Sequence, residues 1–303
     1  MDNFILYLRE EGSRESTITT YKGIVVQFNK WYEETFGKEV DPAAVSALDI
    51  QDYKQYLLHT AKNRTNGRLS PKTVNKKIEG LRTYFRFLHE KDIIATNPVE
   101  KVKPQKIQNR SDSVRWLDRN EKNYLVRVMN TVSEWKNKEN LMIRNRALVY
   151  LMLHAGLRIG EVTNLELNDI DLVKQIIYIQ DGKGGKFRRV EMNKDLLIAL
   201  KQWLEIRPSD KGNNIFISQK GPMTTPGIQS IFKELKVKAK LEDLTPHALR
   251  HTFCHDLAQK GVSLSLIADL AGHTDLNTTR IYIRSSEEER RGAVDKLSGE
   301  RYE

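Results

Sequence analysis

The chain contains a single cysteine, Cys254, so an internal disulfide is impossible. One thiol fits a reducing compartment. Eight prolines and seventeen glycines among 303 residues exclude collagen-like and linker-like composition. No run of about 18 apolar residues occurs, so no transmembrane helix is expected. The start, Met1-Asp2-Asn3-Phe4, lacks a basic stretch followed by an apolar one, and no secretory signal is read there. These absences together lead to the expectation of a cytoplasmic protein without a membrane partner. Internal repeats and low-complexity tracts are also missing.

What is present is globular: 39% hydrophobic and 30% charged residues. At about 100–200 residues per domain, the length suggests two domains. Lysine and arginine total 50 against 40 acidic residues, a net charge of +10. A basic balance points to a polyanionic partner, nucleic acid first. The excess is concentrated. Between Lys62 and Lys106 there are twelve basic residues and four acidic ones, which leaves +8 in that stretch.

The first part of the chain reads as helical. Phe4, Ile5 and Leu8 line a helix over 2–11. Ser16 or Thr17 caps a second, about 17–35, with Ile18, Tyr21, Val25, Phe28 and Tyr32 at helical spacing. Asp49 caps a third, with Ile50, Tyr53, Tyr56 and Leu57 on one side. Ser70-Pro71 opens a fourth that runs to about 91. Its apolar stripe is Val74, Ile78, Leu81, Phe85 and Leu88. Lys72, Lys76, Lys77, Arg82 and Arg86 lie on the same helix as candidate DNA contacts. A helix of this kind can pack on a core and present charge to phosphate, although a merely solvated face has the same pattern. Asn97-Pro98 ends this part. The stretch 99–112 holds Pro104 and no apolar period, and reads as linking sequence. The division is set at 1–103, a linker 104–115, and a second domain 116–303.

The second part mixes helix and strand. Asp118 caps a helix over about 119–132, and 145–154 forms another, which Gly156 ends. Gly160-Glu161-Val162 begins a short helical segment. Ile176-Ile177-Tyr178-Ile179 is a β-branched run typical of a strand. Phe187 to Met192 returns as its hairpin partner, with Lys183 in the glycine-rich bend. That bend lacks the Gly-x-x-x-x-Gly-Lys-Ser/Thr spacing of a nucleotide-binding loop. Thr245-Pro246 opens a helix on which His247 and Arg250 share a face. Ser263 opens a further helix closed by Gly272. Asn277 or Thr278 caps a last short one holding Tyr282. Singly, each of these polar residues is most simply a packing or solvent-facing side chain.

Together they form a pattern. Gly156-Leu157-Arg158-Ile159-Gly160-Glu161, Gly182-Lys183-Gly184, His247-Ala248-Leu249-Arg250-His251, and Gly272-His273 followed by Thr278-Thr279-Arg280-Ile281-Tyr282 occur in that order. In order and spacing this resembles the tyrosine recombinase, or phage integrase, family. The resemblance covers nearly the whole chain. It implies a mainly α fold with a small β-sheet: an N-terminal SAM-like helical core-binding domain and an α/β catalytic domain. It further implies site-specific DNA cleavage and rejoining with Arg158, Lys183, His247, Arg250, His273 and Tyr282 as the catalytic set. Tyr282 is the implied nucleophile, and Glu161 is an acid that supports the site from behind.

The residue types suit that chemistry. Phosphoryl transfer is catalysed mainly by positioning and charge stabilisation. Two guanidinium forks can bind phosphate bidentately and stay charged, so Arg158 and Arg250 can act where other enzymes use Mg²⁺. No carboxylate cluster with metal-ligand spacing is visible, and neither metal nor cofactor is expected. A phenol, with an ordinary pKa of about 10, needs a base or a cationic site to lose its proton. By the resemblance, His247 handles that proton, His273 donates to a non-bridging oxygen, and Lys183 protonates the departing 5′-oxygen. His251 and His255 read as packing or solvent-facing residues.

The implied partners are double-stranded DNA carrying an inverted-repeat core site and three further copies of the chain on synapsed DNA, passing through a Holliday junction. About twenty residues follow Tyr282; Ala293, Val294 and Leu297 are the apolar positions of a tail expected to dock on a neighbouring protomer. The first helix begins almost at Met1, which leaves no room for an arm-binding domain and resembles the simple recombinases. Two other readings stay open. One is a type IB topoisomerase-like DNA-relaxing enzyme, marked by site-independent relaxation. The other is a non-catalytic DNA-binding regulator, for which the nucleophile would be dispensable.

Overall fold

A computed structural model describes residues 1–63, 66–107, 114–131, 138–180, 187–273 and 277–282. The hairpin bend 181–186 with Lys183, and the tail after Tyr282, lie outside these residues. The chain divides into two compact units, Met1–Asn109 and Arg110–Glu303. No described helix is long and apolar enough to cross a membrane.

The first unit consists of α1 (Asp2–Glu10), α2 (Glu15–Phe36), α3 (Ala47–His59) and α4 (Pro71–Glu90). Its core is aromatic. Phe28 is fully buried and its ring meets Trp31, Tyr32, Tyr53 and Phe85 at centroid distances of 5.1–6.1 Å. Burying one such ring contributes on the order of 1.5–3 kcal/mol. Gly80 lets α4 approach α2, because a Cβ there would lie 2.7 Å from Ile24 Cδ1.

Three details differ from the sequence expectation. Ser16 and Thr17 lie inside α2, whose cap position is Arg14. Ser46, not Asp49, caps α3, and Asp49 returns the bond to the Ser46 amide as the third residue of a capping box. The segment expected to link from 99 onward begins inside this unit. Val99 and Val102 are buried, Lys54 Nζ donates to the Lys103 carbonyl at 2.8 Å, and Asn75 pairs with both backbone groups of Gln105. Two isolated valines show no period, so pattern reading does not detect them.

The second unit is built around α6 (Glu139–His154), with α5 (Arg119–Asn130) and α8 (Lys194–Ile206) against it. Residues Ala147 to Leu153 of α6 are buried without a break. A helix apolar on all sides must lie in a core. Then follow α7 (Ile159–Asn164) and a three-stranded antiparallel sheet of β1 (Ile170–Asp171), β2 (Ile176–Gln180) and β3 (Phe187–Glu191), in that order. Ile177 pairs with Val190 and Ile179 with Arg188. Cross-strand partners share a face, so Arg188 points to the same side as the buried Ile177, Ile179 and Val190. The rest comprises a two-stranded β4 (Ile217–Ser218) and β5 (Gly221–Pro222), α9 (Thr225–Lys238), α10 (Pro246–Gln259), α11 (Leu264–Ala271) and α12 (Asn277–Arg280). Tyr282 falls just past α12, in a turn where its amide donates to the Thr279 carbonyl at 3.1 Å, rather than inside a helix as expected.

Candidate active site

Four elements of the second unit converge on one cluster. The first is α10. Thr245 caps it by accepting from the Ala248 amide at 3.0 Å, and Pro246 occupies the first turn. These two residues fix where the helix begins, and therefore which way His247, Arg250, His251 and Cys254 project. Arg250 is 5% exposed. Its Nη1 donates to the Gly156 carbonyl at 2.6 Å, while its Nη2 is buried with no partner among the described residues. Burial first, and then the charge of Arg158, pull its pKa down to about 10, so it stays protonated at neutral pH.

Gly156 makes this close approach possible. Its φ is +64°, and a Cβ would sit 2.4 Å from Phe253 Cδ1 on α10. Two residues on, Arg158 occupies the cap position of α7. Its backbone amide and its Nη1 each donate to Glu161 at 2.7 Å, and its Nη2 donates to the Gly272 carbonyl.

Glu161 is the hub of the cluster. Besides Arg158 it receives both Nη atoms of Arg188, each at 2.9 Å, and its side chain is 9% exposed. Burial alone would raise its pKa; the hydrogen bonds and charge of Arg188, with those of Arg158, outweigh burial and hold it below the ordinary carboxylate value. Arg188 Nε also donates to the Leu270 carbonyl at 3.2 Å. One arginine thus ties the β2–β3 hairpin to α7 and to the end of α11. Sequence reading did not single out Arg188. The signal was there: in the alternation of Phe187 to Glu191, positions 188 and 190 face the same way, and Val190 belongs to the core. An inward-facing arginine requires a partner.

Gly272 ends α11 in the left-handed conformation, φ +67°, and a Cβ there would lie 2.7 Å from Arg188 Nη1. The next residue, His273, has its Nδ1 2.8 Å from Thr279 Oγ1. Burial, and then Arg250 and Arg158, lower its pKa to about 4, so the ring is neutral at pH 7. His247 is partly open to solvent; desolvation of the remainder, then Arg250 and Arg158, lower its pKa as well.

Tyr282 is 3% exposed and packs with Phe253, Cys254, Ile267 and Ala271. Its hydroxyl is hydrogen-bonded to Nδ1 of His251 and also contacts the Cys254 thiol. Burial raises the phenol pKa further, the neighbouring Cys254 adds to this, and Arg250 opposes it. His251 and His255, both expected to be packing or solvent residues, differ in surroundings. His255 stacks on Trp116 at 4.5 Å, whereas His251 touches the tyrosine oxygen.

Of the residues singled out from sequence, Arg158, Glu161, His247, Arg250, His273 and Tyr282 thus lie in this part of the second unit, and Lys183 lies outside the described residues. On α4 of the first unit, Lys72, Lys76 and Arg86 are exposed. Lys77 instead donates to Gln27 Oε1, and Arg82 donates to Glu79 and to the Val102 carbonyl at 2.9 Å. Chemically, two guanidiniums, Arg158 and Arg188, bond the carboxylate of Glu161, and a third, Arg250, has no carboxylate partner among the described residues. Among the described residues the cluster carries an excess of positive charge and an unpartnered buried donor, which suits an oxyanion.

The profile of the phage integrase family matches residues 115–289, and that of the phage integrase N-terminal SAM-like domain matches residues 1–95. The chain is 31% identical over 310 residues to the tyrosine recombinase XerA of Thermococcus kodakarensis, covering 99% of this chain and 98% of that protein. It is 29% identical over 293 residues to the tyrosine recombinase XerC of Leptospira interrogans, covering 94% and 88%. In fold it resembles the Tn1549 transposon integrase bound to a circular-intermediate DNA, with a TM-score of 0.74 at 20% identity over 97% of this chain and 98% of that one. The XerH recombinase bound to its difH substrate gives a TM-score of 0.70 at 22% identity over 92% and 79%. The chain belongs to the phage integrase family and is a site-specific DNA recombinase of the tyrosine class.

Proposed function

We propose that this recombinase cleaves each DNA strand by attack of Tyr282 on a phosphodiester held by Arg158 and Arg250, forming a 3′-phosphotyrosyl link. The observation that carries the reading is Arg250 Nη2, a buried cationic donor without a partner among the described residues and close to the charge of a second arginine, Arg158. A phosphate oxygen would satisfy it and return the charge balance. His247 and His273, as neutral rings, donate to the non-bridging oxygens. Lys183 protonates the departing 5′-oxygen, a contribution of roughly 10²–10⁴-fold for a positioned acid. The phosphotyrosine conserves the phosphodiester's energy, so a 5′-hydroxyl from a partner strand reverses the step without ATP or metal.

In this reading the basic first unit grips the duplex through Lys72, Lys76 and Arg86. Lys77 and Arg82 shape that surface from within. The substrate is DNA with an inverted-repeat core site. Four protomers on two such sites exchange strands through a Holliday junction, with the tail after Ser286 docking on a neighbour. The setting is cytoplasmic.

The test is a plasmid carrying two copies of a candidate inverted-repeat site, incubated with the protein in EDTA. Deleted or inverted product, dependent on both sites, is expected. Relaxation of plasmid irrespective of the sites would replace the reading with a topoisomerase-like enzyme. Site-selective binding with no strand exchange and no covalent product would replace it with a regulator.

A further inference from the structure

We propose that His251 is the proton acceptor for Tyr282, a catalytic role on the reacting oxygen itself. The inference rests on the reading of Tyr282 as nucleophile. Among the described residues, Nδ1 of His251 is hydrogen-bonded to that hydroxyl and the thiol of Cys254 lies beside it. A phenol has one proton to give. With its own proton on Nε2, the His251 ring presents Nδ1 as an acceptor for the phenol proton, which leaves the thiol beside the oxygen's lone pairs. His247, assigned the proton by sequence pattern, stands one turn earlier on α10 and faces His251 at a ring distance of 6.4 Å. It projects from the same face as His251 but makes no described bond to Tyr282.

The surroundings keep His251 ready to accept. On α10 it faces His247, Arg250 and Cys254; from the end of α11 it faces His273; and Tyr282 approaches from beyond α12. Burial, then His247 and Arg250, pull its pKa down to about 4. The ring is therefore neutral at pH 7, with its lone pair available. So low a basicity makes full transfer uphill before attack. Proton transfer then accompanies bond formation, when the phosphate's negative charge is in the site and the tyrosine oxygen becomes far more acidic.

The step balances. The phenol O–H bond breaks and its proton passes to His251 Nδ1. The tyrosine oxygen bonds to phosphorus. The bond from phosphorus to the 5′-oxygen breaks, and its electron pair stays on that oxygen, which takes a proton from Lys183. Rejoining runs backwards: a 5′-hydroxyl attacks and gives its proton to Lys183, while His251 returns its proton to the tyrosine oxygen as it leaves.

The experiment measures covalent adduct formation on a nicked substrate from which the cleaved fragment diffuses away, in EDTA, from pH 6 to 9.5. The proteins are wild type, His251→Ala, His251→Gln and Tyr282→Phe. A second substrate carries sulfur in place of the bridging 5′-oxygen, a leaving group that needs no acid. Both His251 variants are expected to bind the site normally by gel shift and to cleave about 10²-fold more slowly at pH 7. The deficit should shrink as pH rises toward phenol ionisation, and added imidazole should partly restore His251→Ala. The sulfur substrate should rescue a Lys183→Ala variant but neither His251 variant. His251→Gln keeps a polar side chain of similar size in place, so it decides the matter if His251→Ala is misfolded. Cleavage by His251→Gln within threefold of wild type would overturn the assignment. So would faster cleavage by His251→Ala, which would make the contact a restraint on the tyrosine. An adduct from Tyr282→Phe would instead overturn the nucleophile reading.

Discussion

Replacing Arg188 by methionine removes two 2.9 Å bonds from a carboxylate that is 9% exposed and leaves Glu161 with Arg158 alone. Methionine matches the arginine stem in length, so the change is mainly one of charge. Breaking a buried ion pair from one side costs about 3–5 kcal/mol, because the remaining charge stays desolvated. Arg158 is 34% exposed and still pairs with Glu161, which places the loss near the lower end, about 3 kcal/mol. For a unit of this size each kcal/mol shifts Tm by roughly 2–4 °C, so a fall of about 6–12 °C is expected. Calorimetry on the full chain separates the transition of the second unit from that of the first. Arg188→Lys should recover only part of the loss, since an ammonium cannot span both carboxylate oxygens. Adding Glu161→Gln to Arg188→Met should recover at least half, because the stranded charge is gone. The pH response has a definite sign. Glu161 is held below its unfolded value of 4.5, so its stabilisation is complete above about pH 4.5 and is lost as pH falls through the folded value. A Tm change under 2 °C for Arg188→Met, or no acid-side loss attributable to Glu161, would refute this account of the hub.

Other consequences follow from the geometry. Gly156→Ala would place a Cβ 2.4 Å from Phe253 at a φ of +64°; left-handed strain of about 1–2 kcal/mol and overpacking of about 1–3 kcal/mol predict a strongly destabilised unit in a urea titration. Because Gly156 also accepts from Arg250, cleavage should fall more than site binding does. On α4, Lys72→Ala and Lys76→Ala should each lower the salt dependence of DNA binding by about one unit of slope without changing Tm. Lys77→Ala and Arg82→Ala, whose side chains are bonded inside the first unit, should instead lower its Tm. Thr279→Val should slow cleavage by freeing the His273 ring while leaving binding unchanged, measured as single-turnover adduct formation.

Much of this architecture is written in local signals. Ser70-Pro71, Asp118 and Thr245-Pro246 cap helices where their chemistry places them, and Gly156 and Gly272 terminate segments at positive φ. The order of Arg158, His247, Arg250, His273 and Tyr282 marks the family. What pattern reading missed depends on distance along the chain. Arg188 meets Glu161 from 27 residues away, and His251 meets Tyr282 from 31. Their roles arise only when β3 and α10 pack. The helices α8 and α9 and the short β1 went unread, the last because two residues carry no period. A cap at Asn277 or Thr278 predicts a helix holding Tyr282, yet α12 stops at Arg280 and a single turn continues to it.

The most direct test of the central claim is chemical identification of the protein–DNA bond. The protein is incubated in EDTA with a nicked candidate-site duplex, the denaturant-resistant adduct is digested with protease and nuclease, and the modified peptide is sequenced by mass spectrometry. The account predicts a 3′-nucleotide phosphate on Tyr282, and no adduct from Tyr282→Phe. A phosphate on any other residue, or an adduct that persists in Tyr282→Phe, would contradict it.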